Sequence, residues 1–254
     1  MKTRVILVGV GGATCSGKTT LAKHLKRIIP NSVIIHQDVR ISQLTRVQPQ
    51  ELVPIHPKYG VQDWDWPDGA INWARMIAFL KEVKQTGRIP DDHKSHDHLN
   101  EQKDISIPEE VRARWTKTFE ELAKRESDQG EQLVWGLVDG FLLYWNSEVL
   151  KQLDIRFFLR VPEEVLKKRR HERHGYHTAE GALWRDPPHY WEQIVYPAYI
   201  EAHKHIFTDG DVEHGRIARD DIVVINALEE SMGGIIDRCG QELVAYVKDE
   251  AKAP

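Results

Sequence analysis

The sequence predicts an α/β fold in which a parallel β-sheet carries helices on both faces. Apolar, strand-like runs alternate with helix-like stretches along the 254 residues, which is typical of the β-α-β units that build such a sheet. A glycine-rich motif stands between the first strand and the first helix, where sheets of this kind bind phosphate. Because no repeat, linker or low-complexity tract divides the chain, we expect one domain over residues 1–254.

The strands are predicted from short apolar runs. The run at 5–10 is rich in β-branched residues, as a buried strand requires, and the run at 132–138 is closed by a carboxylate. In chain order the strand candidates are 5–10, 32–36, 132–138, 155–161 and 222–226.

The helices are predicted from apolar residues at helical spacing, as within 20–29. The third helix has the best-marked start, because Ser106 and Glu109 have capping-box spacing and Pro108 is tolerated in a first turn. In chain order the helix candidates are 17–29, 70–85, 108–127, 162–173, 189–207 and 229–248.

Residues 12–19 form a complete G-x-x-x-x-G-K-[ST] phosphate loop. Gly12 and Gly17 allow backbone N–H groups to curl around phosphate oxygens, and the helix N-terminus adds partial positive charge. Lys18 is expected to reach the β and γ phosphates, and the Thr19 hydroxyl to ligate Mg²⁺. A ligand-free glycine turn is the alternative, and the flanking strand and helix disfavour it.

Two predicted strands end in an acid, and carboxyl ends of parallel strands are where ligands gather. Asp139 closes the run at 132–138, as a Walker B residue does, and is expected to hold Mg²⁺ directly or through water. Asp38 ends the second strand, where it can accept the proton of an attacking hydroxyl. The alternative for Asp38 is a helix or turn cap.

A basic cluster ends the helix predicted at 162–173 and precedes a segment rich in Gly, Pro and His. This pattern predicts a lid at about 167–190 that closes over polyphosphate; a solvated helix face is the alternative. The bidentate guanidinium fork favours the arginines over the lysines. The cluster comprises Lys167, Lys168, Arg169, Arg170 and Arg173.

The segment at 59–68 combines tryptophans with acids, which have little reason to cluster for packing. The Asp65 carboxylate can accept hydrogen bonds from both vicinal hydroxyls of a ribose, and Trp64 offers a flat face to a base. Surface tryptophans that anchor a loop are the alternative.

Composition narrows the function classes. A net charge of −4 argues against broad binding to nucleic acid or anionic membranes, and no run approaches the length of a membrane span. The two cysteines, Cys15 and Cys239, favour a reducing compartment, so we expect a cytoplasmic protein, either a monomer or a weak homodimer. The histidines and acids within 88–107 are expected to form a polar, solvated insertion without metal.

Taken together, the motifs resemble those of nicotinamide riboside kinases, which belong to the uridine-kinase-like P-loop kinases. The likeness covers most of the chain. It rests on the phosphate loop and following Thr20-Leu21-Ala22, Gln37-Asp38, Trp64-Asp65, Asp139-Gly140-Phe141-Leu142-Leu143-Tyr144, the basic cluster and Tyr196-Pro197-x-Tyr199.

The resemblance implies a three-layer P-loop kinase sandwich with a five-stranded parallel sheet, and transfer of the ATP γ-phosphoryl group to the 5′-hydroxyl of nicotinamide riboside. It implies that Asp38 is the base, that Asp65 holds the ribose and that Trp64 and Tyr190 sandwich the nicotinamide ring. Arg169 and Arg173 would serve the lid. The implied nucleotide contacts are Gly12, Ser16, Gly17, Lys18, Thr19, Thr20, Arg169 and Asn226, with ATP and Mg²⁺ as cofactors.

Two alternatives stay open at this point: a uridine or cytidine kinase, and a non-catalytic nucleotide-binding switch protein. A GTPase switch would carry an Asn-Lys-x-Asp guanine motif, which the chain lacks. One departure from the family pattern is that Asp38 is followed by Val39 and Arg40 rather than by an aspartate and an aromatic residue. We interpret the segment at 39–48 as an insertion.

Overall fold

The computed structural model describes residues 1–37, 40–41, 44–45, 53–88, 105–173, 175–177 and 183–250. Asp38, most of the atypical segment at 39–48 and most of the polar insertion at 88–107 lie outside the described residues. The strands are β1 (Lys2–Gly12), β2 (Ser32–His36), β3 (Arg40–Ile41), β4 (Leu44–Thr45), β5 (Glu131–Gly140), β6 (Ile155–Arg160), β7 (Tyr176–His177), β8 (Leu183–Trp184) and β9 (Val223–Asn226).

The α-helices are α1 (Lys18–Ile28), α2 (Pro67–Ala70), α3 (Trp73–Thr86), α4 (Glu109–Asp128), α5 (Ser147–Leu150), α6 (Glu163–Glu172), α7 (Tyr196–His203) and α8 (Met232–Glu250). A π-helical segment, Trp191–Val195, precedes α7, and the 3₁₀ turns Lys204–Ile206 and Thr208–Gly210 follow it.

The predicted α/β class is confirmed by a five-stranded sheet in the order β2-β5-β1-β6-β9, in which every neighbouring pair is parallel. The five predicted strands all belong to it. Two short antiparallel hairpins, β3-β4 and β7-β8, stand apart from the sheet. Helices connect the strands of this sheet, because two neighbouring parallel strands cannot be joined by a tight turn.

Alternate residues of β1 point to opposite faces of the sheet. Ile6, Val8 and Val10 pack with α1, α4 and α8 on one face, whereas Leu7 packs with α3 and α7 on the other. On the Leu7 side, a Cβ at Gly11 would lie 2.5 Å from the Tyr144 ring, so glycine is needed for this close packing. Helices therefore cover both faces, which leaves the carboxyl edge of the sheet to form a site.

Two helix starts differ from the sequence expectations. The capping box predicted from Ser106 and Glu109 is wrong, because Pro108 takes the N-cap position in an extended conformation and no side chain caps the helix. Helix α8 starts only after Ser231, whose hydroxyl accepts the N–H of Gly234 at 3.1 Å.

The helix predicted at 189–207 is irregular rather than one continuous α-helix. It passes from the π-helical segment into α7 next to Pro197, whose missing N–H interrupts the regular hydrogen-bond ladder. None of the helices in the described ranges has the length and apolar character needed to cross a bilayer.

Candidate active site

The phosphate loop joins β1 to α1 at the carboxyl edge of the sheet. Gly12 has φ +136°, and a Cβ there would lie 2.5 Å from the carbonyl oxygen of Leu159. Gly17 has φ +101°, and Cys15 also adopts a positive φ, of 62°. These left-handed residues curl the backbone in the way that a phosphate-binding nest requires. The loop geometry is therefore the one that the motif predicts.

Lys18 folds back over the loop. Its side-chain Nζ donates a hydrogen bond to the carbonyl oxygen of Ala13 at 2.9 Å, and the residue is only 9% exposed. The ammonium group is thus held above the backbone cradle at the start of α1. Ser16 lies beside it with a buried Oγ that has no hydrogen-bond partner among the described residues. An anion in the cradle would give the Ser16 hydroxyl a partner and would lie close to the Lys18 ammonium group.

Thr19 and Asp139 meet next to this cradle. The Thr19 hydroxyl donates to Asp139 Oδ2 at 2.6 Å, and His36 Nδ1 donates to the same oxygen at 3.1 Å. Within the described ranges, the buried Oδ1 of Asp139 has no hydrogen-bond partner. A free carboxylate oxygen beside a hydroxyl is a donor set that suits Mg²⁺, so the residues present fit that ion.

The Asp139 carboxyl is held in its ionised form. Burial acts to raise its pKa, but the hydrogen bond from His36, the nearby charge of Lys18 and the Thr19 hydroxyl together bring the pKa below its ordinary value. An ionised carboxylate is the form that binds a divalent cation.

Arg169 points from α6 to the phosphate loop, where its Nη1 donates to the Cys15 carbonyl oxygen at 3.1 Å. Arg173, by contrast, is exposed at the C-terminal end of the same helix. No hydrogen bond joins its side chain to any residue in the described part of the chain. The structure thus brings Arg169, but not Arg173, to the loop.

The predicted base, Asp38, lies outside the described residues, whereas Gln37, which precedes it, lies within them. Gln37 is fully buried, its N–H donates to the Asp139 carbonyl oxygen at 2.7 Å and its Oε1 accepts the N–H of Leu142 at 2.9 Å. Gln37 therefore lies beside Asp139 at the same edge of the sheet.

Trp64 and Asp65 are presented by a tight turn. Asp63 is buried, and its Oδ1 accepts the backbone N–H groups of Asp65 at 3.1 Å and of Trp66 at 2.8 Å. Burial raises the pKa of Asp63, and the two backbone hydrogen bonds oppose this. Asp63 therefore shapes the turn, a role that composition alone does not reveal.

The Asp65 carboxylate is 7% exposed and faces Arg170, the residue that follows Arg169 on α6. Arg170 Nη2 lies 4.0 Å from Asp65 Oδ2, which is buried without a hydrogen-bond partner in the described ranges. Arg170 also donates to both carboxylate oxygens of Asp186, at 2.5 and 3.0 Å. The sequence assigned Arg170 to the polyphosphate lid, which stays a prediction; in this structure its guanidinium group contacts Asp65 and Asp186.

The electrostatics of this cluster favour a partly neutral Asp65. Burial raises the pKa of Asp65 to about 6; the Arg170 charge lowers it, and Asp186 and Asp63 raise it. The sequence analysis did not identify Asp186 as a site residue, because its pairing with Arg170 depends on how the segment after β8 packs against α6.

Tyr190 is hydrogen-bonded to the backbone of the turn that carries Trp64. Its hydroxyl donates to the carbonyl oxygen of Gln62 at 2.9 Å and accepts the backbone N–H of Trp64 at 3.2 Å. Tyr190 is 2% exposed, and the rings of both Trp64 and Tyr190 contact Trp184 edge-on. The structure thus brings Trp64 and Tyr190 together but adds Trp184, which the sequence did not single out.

Asn226 ends β9 at the far side of the same sheet edge. Its Oδ1 accepts a hydrogen bond from Arg160 Nε at 2.8 Å, and its Nδ2 donates to Glu229 at 2.8 Å. Thr20, the remaining predicted nucleotide contact, is half-buried in the first turn of α1.

Comparisons with known proteins show to which family the chain is similar. Three curated fungal proteins named nicotinamide riboside kinase are similar to the chain over most of both sequences. They come from Schizosaccharomyces pombe (34% identity; 84% of this chain, 85% of the relative), Saccharomyces cerevisiae (33%; 83% and 82%) and Eremothecium gossypii (31%; 92% and 90%).

Other comparisons add little. No family model matches the chain. A solved unliganded sugar kinase from Janibacter sp. HTCC2649 aligns over 93% of this chain and 92% of its own, with a TM-score of 0.36 and 16% identity, which is too low a similarity to support any argument.

Proposed function

The chain belongs to the nicotinamide riboside kinases, and we propose on this premise that it transfers the γ-phosphoryl group of ATP to the 5′-hydroxyl of nicotinamide riboside. The product is the mononucleotide, a step of NAD salvage. One observation carries the proposal: the adjacent residues Arg169 and Arg170 of α6 reach a phosphate loop and a buried carboxylate, respectively. Because consecutive helical side chains diverge by about 100°, one helix can serve both the donor and the acceptor half of a kinase site.

On the donor side, the phosphates of ATP would occupy the cradle of residues 12–17. Lys18 and Arg169 would neutralise charge that develops on the transferred group. Mg²⁺, held by Thr19 and Asp139, would supply further neutralisation of the phosphate oxygens. We assign the nucleotide contacts Ser16 and Thr20 to this side as well, and the neighbourhood of Asn226 to the adenine pocket.

On the acceptor side, Asp65 would accept hydrogen bonds from the vicinal ribose hydroxyls, with Arg170 beside it as a donor. Trp64, supported by Tyr190, would contact the nicotinamide ring. Asp38 would then accept the proton of the 5′-hydroxyl as that oxygen attacks phosphorus. Holding both reactants in line supplies most of the catalysis in phosphoryl transfer.

We further propose that residues 167–190 form the lid of a single domain. Arg169 already contacts the loop, and the β7-β8 hairpin follows α6 directly. Arg173 would join the phosphates only when the lid closes. The free thiols Cys15 and Cys239 support a reducing, cytoplasmic location, and we expect a monomer or weak homodimer.

The test is ADP release with nicotinamide riboside, with uridine and without an acceptor, followed by mass analysis of the product. We expect turnover with nicotinamide riboside and a product heavier by one phosphoryl group. Turnover with uridine alone would overturn the proposal, and nucleotide binding without turnover of any riboside would indicate a non-catalytic protein.

A further inference from the structure

The indole of Trp184, on β8, lies against both aromatic residues of the acceptor half. Its ring centroid is 5.9 Å from that of Trp64, at an interplanar angle of 65°, and 5.7 Å from that of Tyr190, at 60°. Three aromatic rings therefore meet next to Asp65. No role for Trp184 follows from the motifs that relate the chain to its family.

The orientation of Trp184 is fixed from its polar side. Its Nε1 donates to Asp186 Oδ1 at 2.9 Å, and Asp186 is held in turn by two hydrogen bonds from Arg170. Arg170 is the same residue that faces Asp65 at 4.0 Å. The indole is thus connected through charged, mostly buried groups to the carboxylate proposed to bind ribose.

Exposure distinguishes the three rings. Tyr190 is 2% exposed and its hydroxyl is used by the backbone around Trp64, so its ring is part of the support. Trp64 and Trp184 are half-buried, so part of each residue is accessible to a ligand. The Nε1 of Trp64 is also buried without a hydrogen-bond partner among the described residues, so an acceptor on a bound ring can satisfy it.

Carboxyl groups lie close to the rings. Within the described ranges these are Asp63, Asp65 and Asp186, and the guanidinium group of Arg170 contacts the last two. Indole faces attract cations most strongly among aromatic side chains, and the attraction grows when water is excluded. Aromatic faces surrounded by carboxylates favour a flat organic cation over a neutral ring of the same shape.

We propose that Trp184 is a specificity-determining residue, which together with Trp64 recognises the positively charged pyridinium ring of the riboside. The inference rests on the proposed function, and it replaces Tyr190 by Trp184 as the second aromatic contact of the ring. Tyr190 then acts as a positioning residue that holds the Trp64 turn.

A matched pair of variants separates the aromatic face from the hydrogen bond. Trp184→Phe and Trp184→Leu both lose the N–H donated to Asp186, but only the leucine variant loses the aromatic face. Each is assayed for the KM of nicotinamide riboside, the KM of ATP and the inhibition constant of the 1,4-dihydropyridine riboside, a neutral analogue of similar shape. Trp184→Met is a second non-aromatic variant in case the leucine variant folds poorly.

We expect the KM of nicotinamide riboside to rise about tenfold in the leucine and methionine variants and at most about threefold in the phenylalanine variant. The inhibition constant of the neutral analogue should change by less than about threefold in all three, with the KM of ATP unchanged. Equal effects of Phe and Leu, or equal losses for the cation and the neutral analogue, would overturn the role of Trp184. Absence of wild-type turnover with nicotinamide riboside would overturn the proposed function itself, and this inference with it.

Discussion

Replacing Asp65 by asparagine should stabilise the protein while weakening its activity. The pKa of Asp65 rises from 3.8 to about 6, because the buried ionised form is disfavoured even with Arg170 nearby. The folded state therefore binds a proton more tightly than the unfolded state does. Stability is highest when Asp65 is protonated and is lost as pH rises from about 4 through 6.

The size of this effect follows from the shift. A displacement of about two pKa units corresponds to about 3 kcal/mol of unfolding free energy at pH 7, falling to about half of that at pH 5 and to nearly zero below pH 4. Asparagine has the same shape without the charge, so Asp65→Asn should recover up to about 3 kcal/mol at pH 7. Its kcat/KM for nicotinamide riboside should fall at least about tenfold, since charge-assisted hydrogen bonds to the ribose become neutral ones.

Urea unfolding of wild type and variant between pH 4.5 and 8 measures the difference, and Asp186→Asn is the matched control. Asp186 makes two hydrogen bonds with the buried Arg170, so its neutralisation should destabilise the fold by about 3 kcal/mol, the opposite sign. The reasoning is refuted if Asp65→Asn is no more stable than wild type at pH 7, or if the stability difference does not shrink as pH falls.

Three further predictions concern the donor half and the base. Asp38→Ala should lower kcat by about 10² to 10⁴ with ATP binding retained, and unchanged turnover would exclude Asp38 as the base. Arg169→Ala should lower kcat about a hundredfold, and Arg173→Ala should lower it by less, because of these two residues only Arg169 contacts the loop in this structure. Steady-state kinetics measure both variants, and a larger loss of kcat for Arg173→Ala would contradict this placement. Asp139→Asn should raise the Mg²⁺ concentration for half-maximal rate about tenfold, and an unchanged Mg²⁺ titration would remove Asp139 from the metal site.

The two halves of the candidate site differed in how far the sequence could predict them. The phosphate loop is predicted from eight consecutive residues, and the positive φ of Gly12 and Gly17 is compatible with a phosphate cradle there; phosphate binding stays a prediction. Thr19 and Asp139 were each predicted from the sequence as Mg²⁺ ligands, and the structure joins them by a hydrogen bond; metal binding stays a prediction.

The acceptor half depended on contacts between distant segments. The sequence grouped Arg169, Arg170 and Arg173 as one lid cluster, but helical geometry sends neighbouring residues in different directions. Arg169 meets the loop, Arg170 meets Asp65 and Asp186, and Arg173 is exposed.

By itself, the sequence determined the sheet, its covering helices and the position of the glycine-rich loop, because periodicity and short motifs depend on only a few neighbouring residues. Only the tertiary structure decided that Asp186 pairs with Arg170 and that Trp184 meets Trp64 and Tyr190. Those contacts join residues from separate elements, and they form because the packing of α6, β8 and the Trp64 turn brings buried polar groups to partners that local sequence does not specify.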